Sequence, residues 1–257
     1  MKAFVLLISA AALSGCGYSV VDAAEDVGKM ASSSSSGFSE ENGGKKISTN
    51  AATVDQFTKL SLLGPDNVVF TVGDQFTIVA EGSSDAIEEI RYRFKDGKLM
   101  IGRRDHDGIF NSGTKGSATV RVTAPMLSGA SLAGSGDMEI AEMKSESVKL
   151  SVAGSGNIDV ENVESDSLKI SVAGSGDMKL AGTSESGKIS VAGSGAVKAK
   201  DLKIAEAKVS IAGSGDVSFG SDGNVKASLV GSGDVNVKGS ARCTSTSIGS
   251  GDLNCSA

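Results

Sequence analysis

The sequence predicts an all-β protein whose greater part is a parallel β-helix, a solenoid with coils of about 18–20 residues. Three observations carry this. Gly-Ser-Gly recurs seven times, beginning at Gly134, Gly154, Gly174, Gly193, Gly213, Gly231 and Gly249, in steps of 20, 20, 19, 20, 18 and 18 residues. Such a period marks units that bury an apolar face only by stacking on the next copy. On either side of each triplet apolar and polar residues alternate, which is the period of a strand. Large rings are scarce, with no Trp, two Tyr and eight Phe. A core without them must be filled by aliphatic side chains in thin, regular layers.

Other twenty-residue and propeller architectures fit less well. The Leu and Asn ladder of a leucine-rich repeat is missing, no repeat holds a helix-length run, and a propeller blade needs about forty residues.

In chain order, the first segment is a leader, 1–15. Lys2 precedes an apolar run from Ala3 to Leu13 that is too short to span a membrane, and small residues follow it. Leu13-Ser14-Gly15-Cys16 resembles the lipobox of a bacterial lipoprotein. The resemblance implies lipidation of Cys16, and Gly17 in place of an Asp favours the outer membrane. Residues 16–50 read as a tether, with an unbroken serine run from Ser32 to Ser36 and the polar Asn42-Gly43-Gly44-Lys45-Lys46. Transient helix is expected there only around Val21 to Met30.

The folded domain is expected over 51–257. From Val54, β-branched and aromatic runs alternate with turn residues: Phe57 to Leu60, Val68 to Val72, Phe76 to Val79, Tyr92 to Phe94, Leu99 to Ile101 and Ala118 to Val122. Between Gly102 and Gly116 a polar loop carries Arg103, Arg104, Asp105, His106 and Asp107. It is the one dense polar group, and it reads as a salt-bridged loop rather than an active site.

The repeats fill 131–257. Val148, Leu150 and Val152 share one face, as do Leu168, Ile170 and Val172. Lys149, Ser151, Lys169 and Ser171 point the other way, and Ile158, Val160, Met178, Leu180, Val217 and Phe219 supply further inward pairs. Each coil is therefore two or three short strands joined by bends. The bend is the triplet itself: Gly134 and Gly136, Gly154 and Gly156, Gly174 and Gly176, Gly193 and Gly195, Gly213 and Gly215, Gly231 and Gly233, Gly249 and Gly251. A tight corner needs glycine for positive φ and for close contact with the adjacent coil.

The fourth corner position is Asp137, Asn157, Asp177, Ala196, Asp216, Asp234 and Asp252. Two readings remain open: side chains that accept N–H bonds within their own turn, or a ladder of calcium ligands that Ala196 would interrupt. Cys243 and Cys255, twelve residues apart in an exported chain, read as a disulfide pinning the last coil.

Strand-like runs over 54–123, Ala124-Pro125-Met126-Leu127 and the serial GSGD turns together resemble the auto-transporter adhesin family with the head GIN domain, over residues 50–257. The resemblance implies a right-handed β-helix, bacterial export and an adhesion role, and it brings no catalytic residues.

Functional expectations follow from composition. One His, His106, is poor provision for acid/base catalysis, and a net charge of −6, one unit more negative without Lys2, argues against nucleic acid. The acids Glu142, Glu146, Glu161, Glu164 and Asp166 lie among lysines, and Lys179, Lys188, Lys198, Lys200, Lys203 and Lys208 read as part of the same solvated mosaic. No cofactor or metal is expected. The chain reads as a non-enzymatic envelope lipoprotein, held to a membrane through its lipid and presenting a β-helical surface to a glycan or a protein, with self-association left open. The rival readings are a periplasmic structural or stress-related partner of another envelope protein and a polysaccharide-active enzyme.

Overall fold

A computed structural model describes residues 38, 43–104 and 116–256. The leader, Cys16, the expected helix around Val21 to Met30, and the loop residues Asp105, His106 and Asp107 lie outside them.

The repeats stack in parallel, coil on coil, with unbroken register along one side. Ser147–Gly154 pairs residue for residue with the last part of the long strand Ile158–Gly174, which pairs with Met178–Gly193, then Val197–Gly213, Asn224–Gly231 and Arg242–Gly249. Every Gly-Ser-Gly corner thus lies directly over the previous one. After the corner a second line of strands stacks in the same order, Met138–Lys144 on Ile158–Gly174, continuing to Val217–Gly220, Val235–Lys238 and Leu253–Ser256.

Unequal period is absorbed away from this corner. Where the step falls from 20 to 19, the register shifts between Val160 and Val163 and Gly182 turns at φ +122°. Where it falls to 18, the shift lies between Ala199 and Lys203, opposite Gly220. Each loss is taken up at a bend, because a slip inside a strand would turn its apolar side chains to water.

The interior is the alternation made solid. Val148, Leu150, Val152, Leu168, Ile170, Val172, Ile158, Val160, Met178, Leu180, Val217 and Phe219 are all buried. Burying one such side chain contributes about 1.5–3 kcal/mol.

At the start of the column, stacking order departs from chain order. Lys59–Gly64 lies between Lys98–Arg103 and Gly129–Gly134, and Asn67–Val72 lies between Ala118–Ala124 and Met138–Lys144. The chain therefore lays down its second rung first. Thr77–Gly82 and Ile90–Lys95 then run antiparallel to the outermost rung, joined by a short helix, Ser84–Glu89, whose N-cap is Ser83. This cap covers the strand edges that the solenoid would otherwise expose.

The ordered body begins before residue 51. Lys45–Lys46 pairs antiparallel with Ile90–Lys95, Ile47 is in the core, and the Phe38 ring is buried with the Arg93 guanidinium 5.0 Å from its centroid. The polar glycines and lysines hid these two apolar anchors from a reading by composition.

Candidate functional site

The corner that repeats is built to hold coils together. The Gly134 carbonyl accepts the N–H groups of both Ser155 and Gly156 from the next coil, at 3.0 and 3.1 Å, and each later triplet through Gly231 does the same. Gly154 takes φ +128°, where a side chain is strained. Gly156 is glycine for another reason, since a Cβ there would lie 1.9 Å from the Gly136 carbonyl oxygen below.

The fourth-position side chains accept from the neighbouring coil rather than from their own turn. The N–H of Asn157 donates to Asp137 Oδ1 at 3.1 Å, that of Asp177 to Asn157 Oδ1 at 3.0 Å, that of Asp234 to Asp216 Oδ1 at 2.9 Å and that of Asp252 to Asp234 Oδ1 at 2.9 Å. The own-turn reading is corrected accordingly: strict register puts each side-chain oxygen over the next amide. Among the described residues no group of three His, Cys, Asp or Glu is placed to hold a metal ion.

The ladder extends one step further than the triplets show. Gly64-Pro65-Asp66-Asn67 stands in register with Gly134 to Asp137, and Asn67 Oδ1 accepts the Asp137 N–H at 2.9 Å. Asp66 is fully buried and held by Arg103, Nε to Oδ2 at 2.7 Å and Nη2 to Oδ1 at 2.8 Å, and by the Ala118 N–H at 2.9 Å. Arg104 pairs with Glu89 at 3.0 Å. Both described arginines of the polar loop are thus structural ties.

Cys243 and Cys255 form a disulfide with Cα atoms 6.7 Å apart. Register puts them over Val225 and Val237, so the bridge closes the interior where apolar pairs stop.

On the two faces after the corner, opposite charges meet: Lys144 with Glu164 at 2.7 Å, Lys179 with Asp159 at 3.0 Å, Lys198 with Asp177 at 2.6 Å and Lys203 with Asp222 at 3.7 Å. Burial pushes the Asp177 carboxyl up, but the Lys198 hydrogen bond, the Ala196 N–H and the Lys198 charge outweigh it and hold the group below its ordinary value. Hydrogen bonding to Glu164 raises Lys144.

On the face before the corner lysines line up by register. Lys149, Lys169, Lys188, Lys208 and Lys226 occupy one register position in successive coils. Beyond Gly129 the same row continues with Lys59 and Lys98. Lys179, Lys198 and Lys203 meet acids as the mosaic reading expects, and Lys188 and Lys208 belong to a file of seven lysines in register. At about 4.8 Å per strand the file is about 34 Å long. Adjacent ammonium groups at the strand spacing repel by about 1 kcal/mol in water. Beside it runs a serine row, Ser131, Ser151, Ser171, Ser190, Ser210 and Ser228. Ser151, Ser171 and Ser190 lie on the outward side of their strands yet are buried, and the Ser171 Oγ has no hydrogen-bond partner.

Where Gly129 interrupts the file, a depression of about 430 Å³ opens among Lys59, Lys95, Lys98 and Lys149, floored by Met100 and Ala130. Lys98 is held below the ordinary lysine value, first by burial and then by the charges of Lys59 and Lys149, against the pull of Asp96. The sequence signal is Lys149 and Lys169 recurring at one position of the repeat, which by itself marks only an outward side.

The model of a family described as "Putative auto-transporter adhesin, head GIN domain" matches residues 56–241. No curated protein matches the chain. Among solved structures, a "putative adhesin" from Bacteroides fragilis superposes with a TM-score of 0.72 at 24% identity, over 82% of this chain and 97% of that one. A "putative lipid binding protein" from Parabacteroides distasonis gives 0.64 at 22%, over 82% and 98%. A "putative adhesin" from Parabacteroides merdae gives 0.57 at 21%, over 82% and 96%. At these identities the likeness is one of fold.

Proposed function

The chain belongs to the auto-transporter adhesin, head GIN domain family, and from that membership we propose that it is a non-enzymatic, adhesin-like protein of the bacterial cell envelope. The observation that carries the reading is the registered outer surface. Coils locked at every corner present the same residue type at a fixed interval, which suits many weak contacts that add through avidity. Cys16 is the lipid anchor in this reading, with the outer membrane as its site. Among the described residues no helix is long and apolar enough to cross a membrane. The described part of the chain enters at the capped end of the column.

The test is binding of the full chain to an array of neutral and acidic glycans, repeated with chelator. Glycan binding that survives chelation is the expected result. A blank array removes the glycan reading.

One observation favours a second role. The final coil, Arg242–Gly249 and Leu253–Ser256, leaves one strand edge at the end of the column, and Ile248 there is 69% exposed. Such an edge suits strand addition by another envelope protein. Co-purification of a stoichiometric envelope protein, lost on truncation of 242–257, would support that role instead.

A further inference from the structure

We propose that the lysine file is the docking surface for an acidic stretch of the chain's own tether, Asp22 to Asp26, an interaction that goes beyond the adhesin-like reading and does not depend on it. Lys149, Lys169, Lys188 and Lys208 each have an interaction partner, and the strands that carry them supply little that is acidic. The outward positions beside them hold mainly Ser and Ala, together with Glu206, whose Oε1 accepts from Asn224 Nδ2 at 2.9 Å. Glu146, Asp166 and Glu185, at the bend before those strands, line the groove of the neighbouring face with Lys144 and Lys203.

Acids are concentrated upstream instead. Residues 17–42 hold Asp22, Glu25, Asp26, Glu40 and Glu41 against one base, Lys29. Over Val21 to Met30, where the sequence favours a helix, Asp22, Glu25 and Asp26 stand at i, i+3 and i+4 and share one face, while Ala23 and Val27 take the other. Acids spaced about 5–6 Å apart on such a face nearly match lysines that recur at about 4.8 Å.

The point of entry brings the segment within reach. Phe38 lies on the same outward side as the lysines: its ring fills the space that a Gly102 side chain would take, and Gly102 stands four residues along its strand from Lys98, the outermost lysine of the file. Four residues of strand span about 13 Å. Register puts Lys208 six rungs from Lys98, about 29 Å along the column. From Phe38 back to Asp26 are twelve residues, the serine run among them, and they extend to about 40 Å. The acidic face can therefore lie over the file from Lys149 to Lys208. A link this short holds the segment near its surface at about millimolar effective concentration, which favours it over the same segment of a second copy.

The experiment is zero-length carbodiimide coupling of the full chain in dilute solution, with the joined peptides mapped by mass spectrometry. Lys144 with Glu164 and Lys179 with Asp159, at 2.7 and 3.0 Å, are internal standards that show the reagent has joined ion pairs. Asp22, Glu25 or Asp26 should be joined to Lys169, Lys188 or Lys208 within one chain, and these links should fall at least about fivefold in about 0.5 M salt, which screens exposed charges. A second measurement follows the acetylation of individual lysines. In the variant Asp22→Asn, Glu25→Gln, Asp26→Asn, Lys169, Lys188 and Lys208 should react about threefold faster or more, because a nearby carboxylate favours the charged, unreactive ammonium. Lys179 and Lys198, paired on another face, should keep their rates.

Standards joined without any link from Asp22, Glu25 or Asp26 to the file would overturn the docking, as would links spread evenly over Lys179, Lys198 and Lys203 or acetylation rates unchanged in the variant. Links found only between two chains would overturn it too and make a second copy the occupant. The glycan array is read separately: a blank array with these links in place removes the glycan reading alone.

Discussion

Ala196 is the one residue at the fourth corner position with no side-chain oxygen, and the corner shows what that costs. Asp177 Oδ1 accepts the Ala196 N–H at 2.8 Å, but Ala196 has nothing to offer the amide of Asp216. Ala196→Asn should supply the missing bond and stabilise by about 0.5–1.5 kcal/mol, raising the melting temperature by a few degrees. Asn is the better choice than Asp because Asp177 is charged one coil away. A second prediction concerns Asp177, whose folded value lies below the ordinary 3.8. A carboxylate lowered in this way stabilises the fold above its ordinary value, and loses that contribution as the pH falls through the lowered one. Denaturant melts of wild type and Asp177→Asn should therefore differ at neutral pH and converge in strong acid. Glycine at the corners was legible from spacing alone. The direction of the Asx hydrogen bonds was not, because which amide lies above which oxygen depends on register, and register belongs to pairs of coils.

The last coil is the element whose stability rests least on packing. Ser245 and Ser247 take the register positions that Ala227 and Leu229 fill one coil earlier, and most of Arg242–Gly249 is exposed. The Cys243–Cys255 bridge replaces the apolar pair that would have closed the interior. Reducing it, or the double change Cys243→Ser and Cys255→Ser, should cost up to about 3 kcal/mol on the chain-entropy account. In a solenoid the loss stays local. Amide exchange is expected to speed up over 242–256 while 147–193 keeps its protection. The pairing could be read from two cysteines in an exported chain with no further ligands nearby. At the opposite end the sequence was less open: strand-like runs over 54–123 were visible, but not that Lys59–Gly64 would lie inside Lys98–Arg103. Antiparallel capping by Thr77–Gly82 and Ile90–Lys95 depends on long-range pairing that local pattern does not encode.

At the scale of the whole molecule, the column turns a one-dimensional repeat into rows. Interior rows were predictable because burial enforces them. Exterior rows were not, since Lys149, Lys169 and Lys188 are interspersed in sequence with Glu and Asp that stacking sends to other faces. That sorting gives a chain of net charge −6 one face with a line of cations. The account's central claim is that this is an adhesin-like envelope protein that presents that column outside the cell. The direct measurement is retention, under flow over the immobilised glycans that the array identifies, of cells bearing the chain against the same cells with it deleted. The account predicts greater retention of the bearing cells, abolished when intact cells are first treated with protease. Equal retention of the two, or retention unchanged by the protease, would contradict it.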